Sequence, residues 1–294
     1  MTHSDRRTFI RGGLALVLAP TLVLTPRPSS PRSSPTPSVA VCLGSGALHG
    51  YAHIGVVRAF DRLGFHPEVI TGSSVGAIVG ALWAAGLGDH EIEEIAHDTS
   101  WREASGLRMP RLGFGKLDRL SALIDRHANH KMIESLPTRF AAAATDLDTG
   151  LPVVLDRGPL GAAVAASSSV PIRYEPVTIN GRRLIDGALS EPVPVDAART
   201  LGASFTVAID VAYRPYEEPV AGITDVAFQM FHIMVNRLID EQIRRADFAI
   251  RLDLHDIMKG ENAIPAMIHA GEKAVQDHWS VLSGKLSSEG VRVS

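Results

Sequence analysis

The chain has 294 residues, of which 45% are hydrophobic, 21% charged and 5% aromatic; this is enough to bury a sizeable core and too apolar for disorder throughout. A formal net charge of -3 gives no electrostatic argument for nucleic-acid binding, so none is expected. The one cysteine, Cys42, excludes an internal disulfide framework and a cysteine-only metal site.

The charge is unevenly spread. Residues 1–38 carry Arg6, Arg7, Arg11, Arg27 and Arg32 against Asp5, a net +4, and taking +4 from -3 leaves about -7 for the remainder. Asp5-Arg6-Arg7-Thr8-Phe9-Ile10-Arg11 precedes an apolar run from Gly12 to Leu24, interrupted by Pro20, and a Pro/Ser-rich stretch to Ser38. This segment resembles a twin-arginine export signal, whose arginine pair is read by a receptor. Its apolar run is short against the roughly 20 helical residues that span a bilayer. The expectation is an export signal and linker over 1–38, read by the twin-arginine export machinery, and a folded body over 39–294. The protein would be periplasmic or secreted, a retained N-terminal anchor being the alternative.

From Val39 the pattern becomes strand, glycine-rich turn and helix: Val39 to Leu43, Gly44 to Gly50, Tyr51 to Leu63. A second such unit follows, with a strand over Glu68 to Thr71, a turn over Gly72 to Gly76 and a small-residue helix from Ala77 to Ala85. Glu91 to His97 reads as a short helix, and Trp101 to Gly115 as a loop or lid. The Trp, Leu, Met, Phe and Arg of Trp101 to Phe114 suit transient contact with a lipid surface or packing on the body. Lys116 to His127 is amphipathic. Strands are expected at Phe140 to Thr145 and Pro152 to Leu155, and a helix at Leu160 to Ser169. Val177 to Ile185 reads as a hairpin about Asn180-Gly181. A helix at Val195 to Leu201, a buried strand at Phe205 to Ile209, a long helix at Ile223 to Arg245, a strand at Phe248 to Leu252 and a closing helix at Ala263 to Leu282 complete the pattern. Alternating strands and helices without a polar linker after Ser38 predict one α/β domain with a mostly parallel sheet.

Gly72-x-Ser74-x-Gly76 has the spacing of a nucleophile elbow, in which a serine stands on a tight strand-to-helix turn beside the unpaired amides of the helix N-terminus. An ordinary Gly/Ser turn has the same spacing. Gly44-Ser45-Gly46 offers backbone amides that could cradle phosphate or stabilise an oxyanion, but it matches neither GxxxxGK[ST] nor GxGxxG, since His49 stands where the last glycine would be.

With these motifs in order, the chain resembles the patatin-like phospholipase family from Val39 through most of its C-terminal half. The residues that carry the resemblance are Gly44-Ser45-Gly46 with Gly50 and Ala52-His53-Ile54-Gly55-Val56, then Gly72-Ser73-Ser74-Val75-Gly76-Ala77, Thr145 to Gly150, Ala166 to Pro171, and Asp186-Gly187-Ala188. The resemblance implies a three-layer α/β/α fold around a mostly parallel sheet. It also implies a lipid acyl hydrolase with Ser74 as nucleophile and Asp186 as its partner. The oxyanion hole it implies is built from the backbone of Gly44, Ser45 and Gly46 with the amide of Val75. The substrate would be a lipid or small ester: a phospholipid, a lysophospholipid or a simple carboxylic ester. Two positions depart from the family pattern: Ser45 replaces a glycine, and His49 occupies a position usually held by arginine or lysine. A neutral His49 would remove a permanent charge and so modulate the substrate preference or the loop.

In such a dyad Asp186 takes the Ser74 proton directly, although 12 histidines leave a Ser-His-Asp triad compatible with the composition. His53, within the first helix, reads as structural. Asp146-x-Asp148 before Thr149-Gly150 reads as a turn rather than a metal site, and His127 with His130 lacks the glutamate of a zinc-protease helix. No metal or cofactor is expected. Ser167 to Ser169 are expected to end a helix and shape the pocket. A non-catalytic exported protein, binding lipid or protein through this fold, is the alternative of a different class.

Overall fold

Apolar strands separated by helices fold here into an eight-stranded sheet with helices on both faces. The computed structural model describes residues 38–97, 115–214, 220–260 and 262–291. The export segment expected over 1–38, apart from Ser38, and the lid expected over Trp101 to Phe114 lie outside the described residues.

β1 (Val39–Leu43), β2 (Val69–Ser73), the N-terminal part of β3 (Arg139–Asp146), β7 (Phe205–Asp210) and β8 (Phe248–Arg251) form the parallel part of the sheet. The strand order is β5-β6-β3-β2-β1-β7-β8, with β4 (Pro152–Leu155) on β3. The antiparallel end is built by β4, β5 (Val177–Ile179) and β6 (Arg182–Asp186). The β5–β6 turn uses Asn180 at φ 51 and Gly181 at φ 76, two left-handed residues that match the twist of a two-residue hairpin.

β1 is Val-Ala-Val-Cys-Leu, apolar on both faces because both are covered. Val39, Val41 and Leu43 enter one core, while Ala40 and Cys42 enter the other. The first core holds α1 (Tyr51–Arg62), α2 (Val75–Ala84), α3 (Asp89–His97), α4 (Asp118–His127) and α5 (Leu160–Ser167). α9 (Ala263–Ser288) packs on the same side, with the short α8 (His255–Met258) before it. The second core is covered by α6 (Val195–Thr200) and α7 (Ile223–Arg245). This is the α/β/α arrangement expected. Burial pushes the Cys42 thiol up to about 12, so it behaves as an apolar strand residue.

Several boundaries move. β2 runs to Ser73 and α2 begins at Val75, so a single residue, Ser74, makes the whole turn. α5 stops at Ser167 and α9 continues to Ser288. Among the described residues no helix is long and apolar enough to cross a membrane.

Candidate active site

β3 brings two distant chain segments to one point. Its Ala143 pairs with Ser73 at the end of β2, and the next residue, Ala144, pairs with Asp186 at the end of β6. Ser74, one residue past β2, therefore meets Asp186: its Oγ donates to Asp186 Oδ2 at 2.8 Å.

The turn that carries Ser74 is tight and strained. Ser74 has φ 54 and ψ -123, a conformation that costs a non-glycine residue about 1–3 kcal/mol and persists only where its surroundings enforce it. Gly72 and Gly76 supply those surroundings. A Cβ on Gly72 would lie 2.3 Å from the Gly76 carbonyl, and one on Gly76 would lie 2.1 Å from the Leu43 carbonyl. Glycine is needed at both because backbone touches backbone. The Ser74 amide donates to Ser167 Oγ at 3.0 Å, and Ser167 in turn donates to the Ala143 carbonyl at 2.6 Å. Ser168 and Ser169 make bonds of their own, to the Ser74 and Ala165 carbonyls. These serines end α5, as expected, and Ser168 lines a cavity beside Ser74; the hold of Ser167 on the Ser74 amide depends on β3 and has no local signal.

Asp186 is 0% exposed. Its Oδ1 accepts the Ala188 amide at 2.8 Å, its own amide donates to the Ser169 carbonyl at 3.0 Å, and its carbonyl accepts Thr145 Oγ1 at 2.8 Å. Burial raises its pKa to about 7, opposed by the Ala188 and Ser74 hydrogen bonds. Such a value suits a base working near neutrality. No histidine stands between the two residues. His53 Nε2 donates to the Gly44 carbonyl at 2.8 Å and is fully buried, which ties α1 to the glycine turn.

The Gly44–Gly46 turn narrows the expected oxyanion donors. The Gly44 amide donates to the Ile209 carbonyl at 2.9 Å and the Ser45 amide to the Pro192 carbonyl at 2.8 Å, so these two are corrected: their hydrogens are committed to holding the turn. The amides of Gly46, Ala47 and Val75 have no backbone partner among the described residues. Ala47, at φ 45, was passed over in the sequence and lines the cavity with Gly46 and Ser74.

His49 is 1% exposed, its Nδ1 donates to the Val211 carbonyl at 3.0 Å, and its ring stacks on Tyr213 at 3.9 Å. Burial lowers its pKa to about 4, so it is neutral at physiological pH and anchors the loop after β7. Asp146 accepts the Asp148 and Thr149 amides at 3.0 Å and pairs with Arg182 at 2.7 Å, while Asp148 pairs with Arg183; the Asp-x-Asp element is thus a turn. Among the described residues no group of three or more histidine, cysteine or carboxylate side chains is placed to hold a metal.

Two cavities meet at Ser74. The smaller, about 50 Å³, is lined by Tyr51, Ile54, Ile78 and Val79 with Val75 and Ala96. The larger, about 310 Å³, is bordered by Asp186 and Gly46 on one side and by Phe228, Phe231 and His232 of α7 on the other.

A serine on a strand-to-helix turn, bonded to a buried aspartate within an α/β/α fold, is the arrangement of the patatin class of esterases and lipases. The chain belongs to that family: the patatin-like phospholipase pattern matches residues 41–199. It is 37% identical over 186 residues to an uncharacterized NTE family protein of Mycobacterium tuberculosis, an alignment covering 61% of this chain and 51% of that protein. It is 27% identical over 183 residues to a lysophospholipase, nte1, of Aspergillus fumigatus, covering 59% of this chain and 12% of that one. The chain thus spans about half the length of the mycobacterial relative and far less of the fungal one. Among solved structures, VipD from Legionella pneumophila shares the fold at a TM-score of 0.51 with 12% identity, over 85% of this chain and 68% of that one.

Proposed function

We propose that the protein hydrolyses carboxylic esters of lipids through a Ser74–Asp186 dyad and an acyl-enzyme. The observation that carries this reading is the 2.8 Å hydrogen bond from Ser74 Oγ to a carboxylate buried without any intervening histidine. Asp186 takes the Ser74 proton as Oγ bonds to the ester carbonyl carbon. The carbonyl oxygen becomes an oxyanion held by the amides of Gly46, Ala47 and Val75, the last at the N-terminus of α2. Collapse breaks the ester C–O bond, Asp186 protonates the departing alkoxide, and the acyl group remains on Ser74. Water then attacks the acyl carbon, giving its proton to Asp186, and the second collapse returns that proton to Ser74. The apolar cavity under Tyr51, Ile54 and Ile78 suits the acyl chain, and the larger, more polar one suits the alcohol.

The test is hydrolysis by the purified chain of a chain-length series of p-nitrophenyl esters and of phospholipids and lysophospholipids, beside Ser74→Ala. Wild-type turnover that falls to background in a folded Ser74→Ala protein is expected. Turnover retained in that variant would remove the dyad, and a wild type inactive across the panel would favour a binding protein.

We also propose, from sequence alone, that residues 1–38 direct export and that 39–294 act as the hydrolase outside the cytoplasm. A reporter fused behind residues 1–38 should be exported, and Arg6→Lys with Arg7→Lys should leave the reporter in the cytoplasm; export unaffected by the double substitution would remove the twin-arginine assignment.

A further inference from the structure

Most arginines among the described residues face a carboxylate: Arg58 faces Asp89, Arg182 faces Asp146 and Arg214 faces Asp210. Arg173 does not. It has no carboxylate partner among the described residues, yet it lines both cavities beside Ser74. Its guanidinium lies over the Phe228 ring, 5.3 Å from the centroid, and its Nε is buried without an acceptor. Two neighbouring polar atoms on these cavity walls, Tyr174 Oη and His232 Nδ1, are also buried without a partner among the described residues. A buried donor left unmade costs about 1–3 kcal/mol, so Arg173 Nε and Tyr174 Oη, on the walls of two cavities that meet at Ser74, mark a place for an acceptor-rich ligand.

The backbone fixes where this cation stands. The Arg173 carbonyl accepts the Gly115 amide at 3.1 Å, and the amides of Arg173 and Tyr174 both donate to the Val170 carbonyl. Ile172, just before it, is held at φ 73, a left-handed conformation that a β-branched residue adopts only under constraint. Among the described residues, the carboxylates that line the larger cavity are engaged elsewhere. Asp225 spends Oδ2 on the Ala221 and Gly222 amides, and Asp186 is committed to Ser74 and Ala188. The charge is felt across the cavity: His232 is held below the ordinary histidine range by burial and then by Arg173.

We propose that Arg173 is the anion-recognising residue of this site and receives a phosphate group carried on the alcohol side of the ester. A guanidinium presents a planar fork of donors that matches phosphate oxygens bidentately, and its stacking on Phe228 keeps the fork oriented. The position usually basic in the family holds a neutral, buried His49, so Arg173 supplies from another segment the permanent charge that His49 lacks. The proposal rests on the hydrolase reading for its substrate but not for the anion itself.

The test compares a lysophosphatidic acid with the monoacylglycerol of the same acyl chain, which share the ester and differ in the phosphate. Arg173→Gln is expected to lower the ratio of their kcat/KM values by about 10- to 100-fold, and Arg173→Lys to recover part of it. An unchanged ratio, including a parallel fall on both substrates, overturns the proposal and leaves Arg173 a packing residue. Inorganic phosphate should compete with the monoacylglycerol in wild type and weakly in Arg173→Gln. Phosphate inhibition without preference for the phosphorylated ester would assign the cation to free phosphate and also overturn it. Titration of the Ser74→Ala protein with hexyl phosphate and with hexanol reads the anion site without turnover. Binding of the phosphate that Arg173→Gln abolishes is expected even if no ester is hydrolysed, and equal binding with and without Arg173 sinks the proposal independently of the dyad.

Discussion

Ser74 Oγ and the buried carboxylate of Asp186 are 2.8 Å apart, although 112 residues separate them in the chain. The proposed dyad needs that carboxylate ionised, whereas burial favours its protonated form and raises its pKa to about 7. kcat/KM is therefore expected to rise with pH through about 7 as a single ionisation. Stability runs the other way. With a folded pKa raised above the unfolded carboxylate value, the folded state binds more protons between about 4 and 7, so this group's contribution is present below that window and lost as pH rises through it. Asp186→Asn should cut kcat by about 10²- to 10⁴-fold and yet gain in melting temperature relative to wild type at pH 8, the gain shrinking by pH 5. Glu191, also raised to about 7 by burial, titrates in both proteins and cancels in the comparison. A variant less stable than wild type at pH 8 would contradict the protonation argument.

Ser167→Ala leaves the Ser74 amide without its 3.0 Å acceptor and the Ala143 carbonyl without its donor. The expected loss is about 1–3 kcal/mol in urea denaturation, with a fall in kcat that exceeds any rise in KM. Wild-type kcat in this variant would mean that the elbow holds its geometry without the serine.

At Gly76, an added methyl would press on the Leu43 carbonyl at 2.1 Å. Gly76→Ala should lose about 3 kcal/mol or more, or fail to fold, while Gly88→Ala, with nothing within 4 Å of the added carbon, should shift stability by less than about 0.5 kcal/mol. Similar melting temperatures for the two variants would show that the turn relaxes.

His49→Arg would put a permanent cation where a neutral ring stacks on Tyr213 and donates to Val211. A loss of about 3 kcal/mol or more is expected by chemical denaturation, with no gain in phospholipid preference. A stable variant with increased preference would return the headgroup role to this position.

What was legible in the sequence follows from how local each cause is. The Gly72-x-Ser74-x-Gly76 spacing is dictated by one turn, and β1 announces its double burial by apolarity at every position. The hairpin at Asn180-Gly181 is equally self-contained. The donor set was not legible, because the commitment of the Gly44 and Ser45 amides depends on carbonyls at Ile209 and Pro192. Arg173 carries no local signal, because its lack of a carboxylate partner among the described residues is a matter of spatial neighbours. His49 could be recognised as an exception by pattern, but its neutrality comes from burial against Val211 and Tyr213.

The pairing of β1 with β7 also sets an order of events during synthesis. Until residues 205–210 have left the ribosome, β1 has a bare edge of unsatisfied backbone and the Gly44 amide has no Ile209 carbonyl to hold it. The glycine turn, and with it the loop beside Ser74, can take its final shape only once the strand over residues 205–210 is in place. A nascent chain released early would carry Ser74 on its turn without the glycine loop that is held beside it.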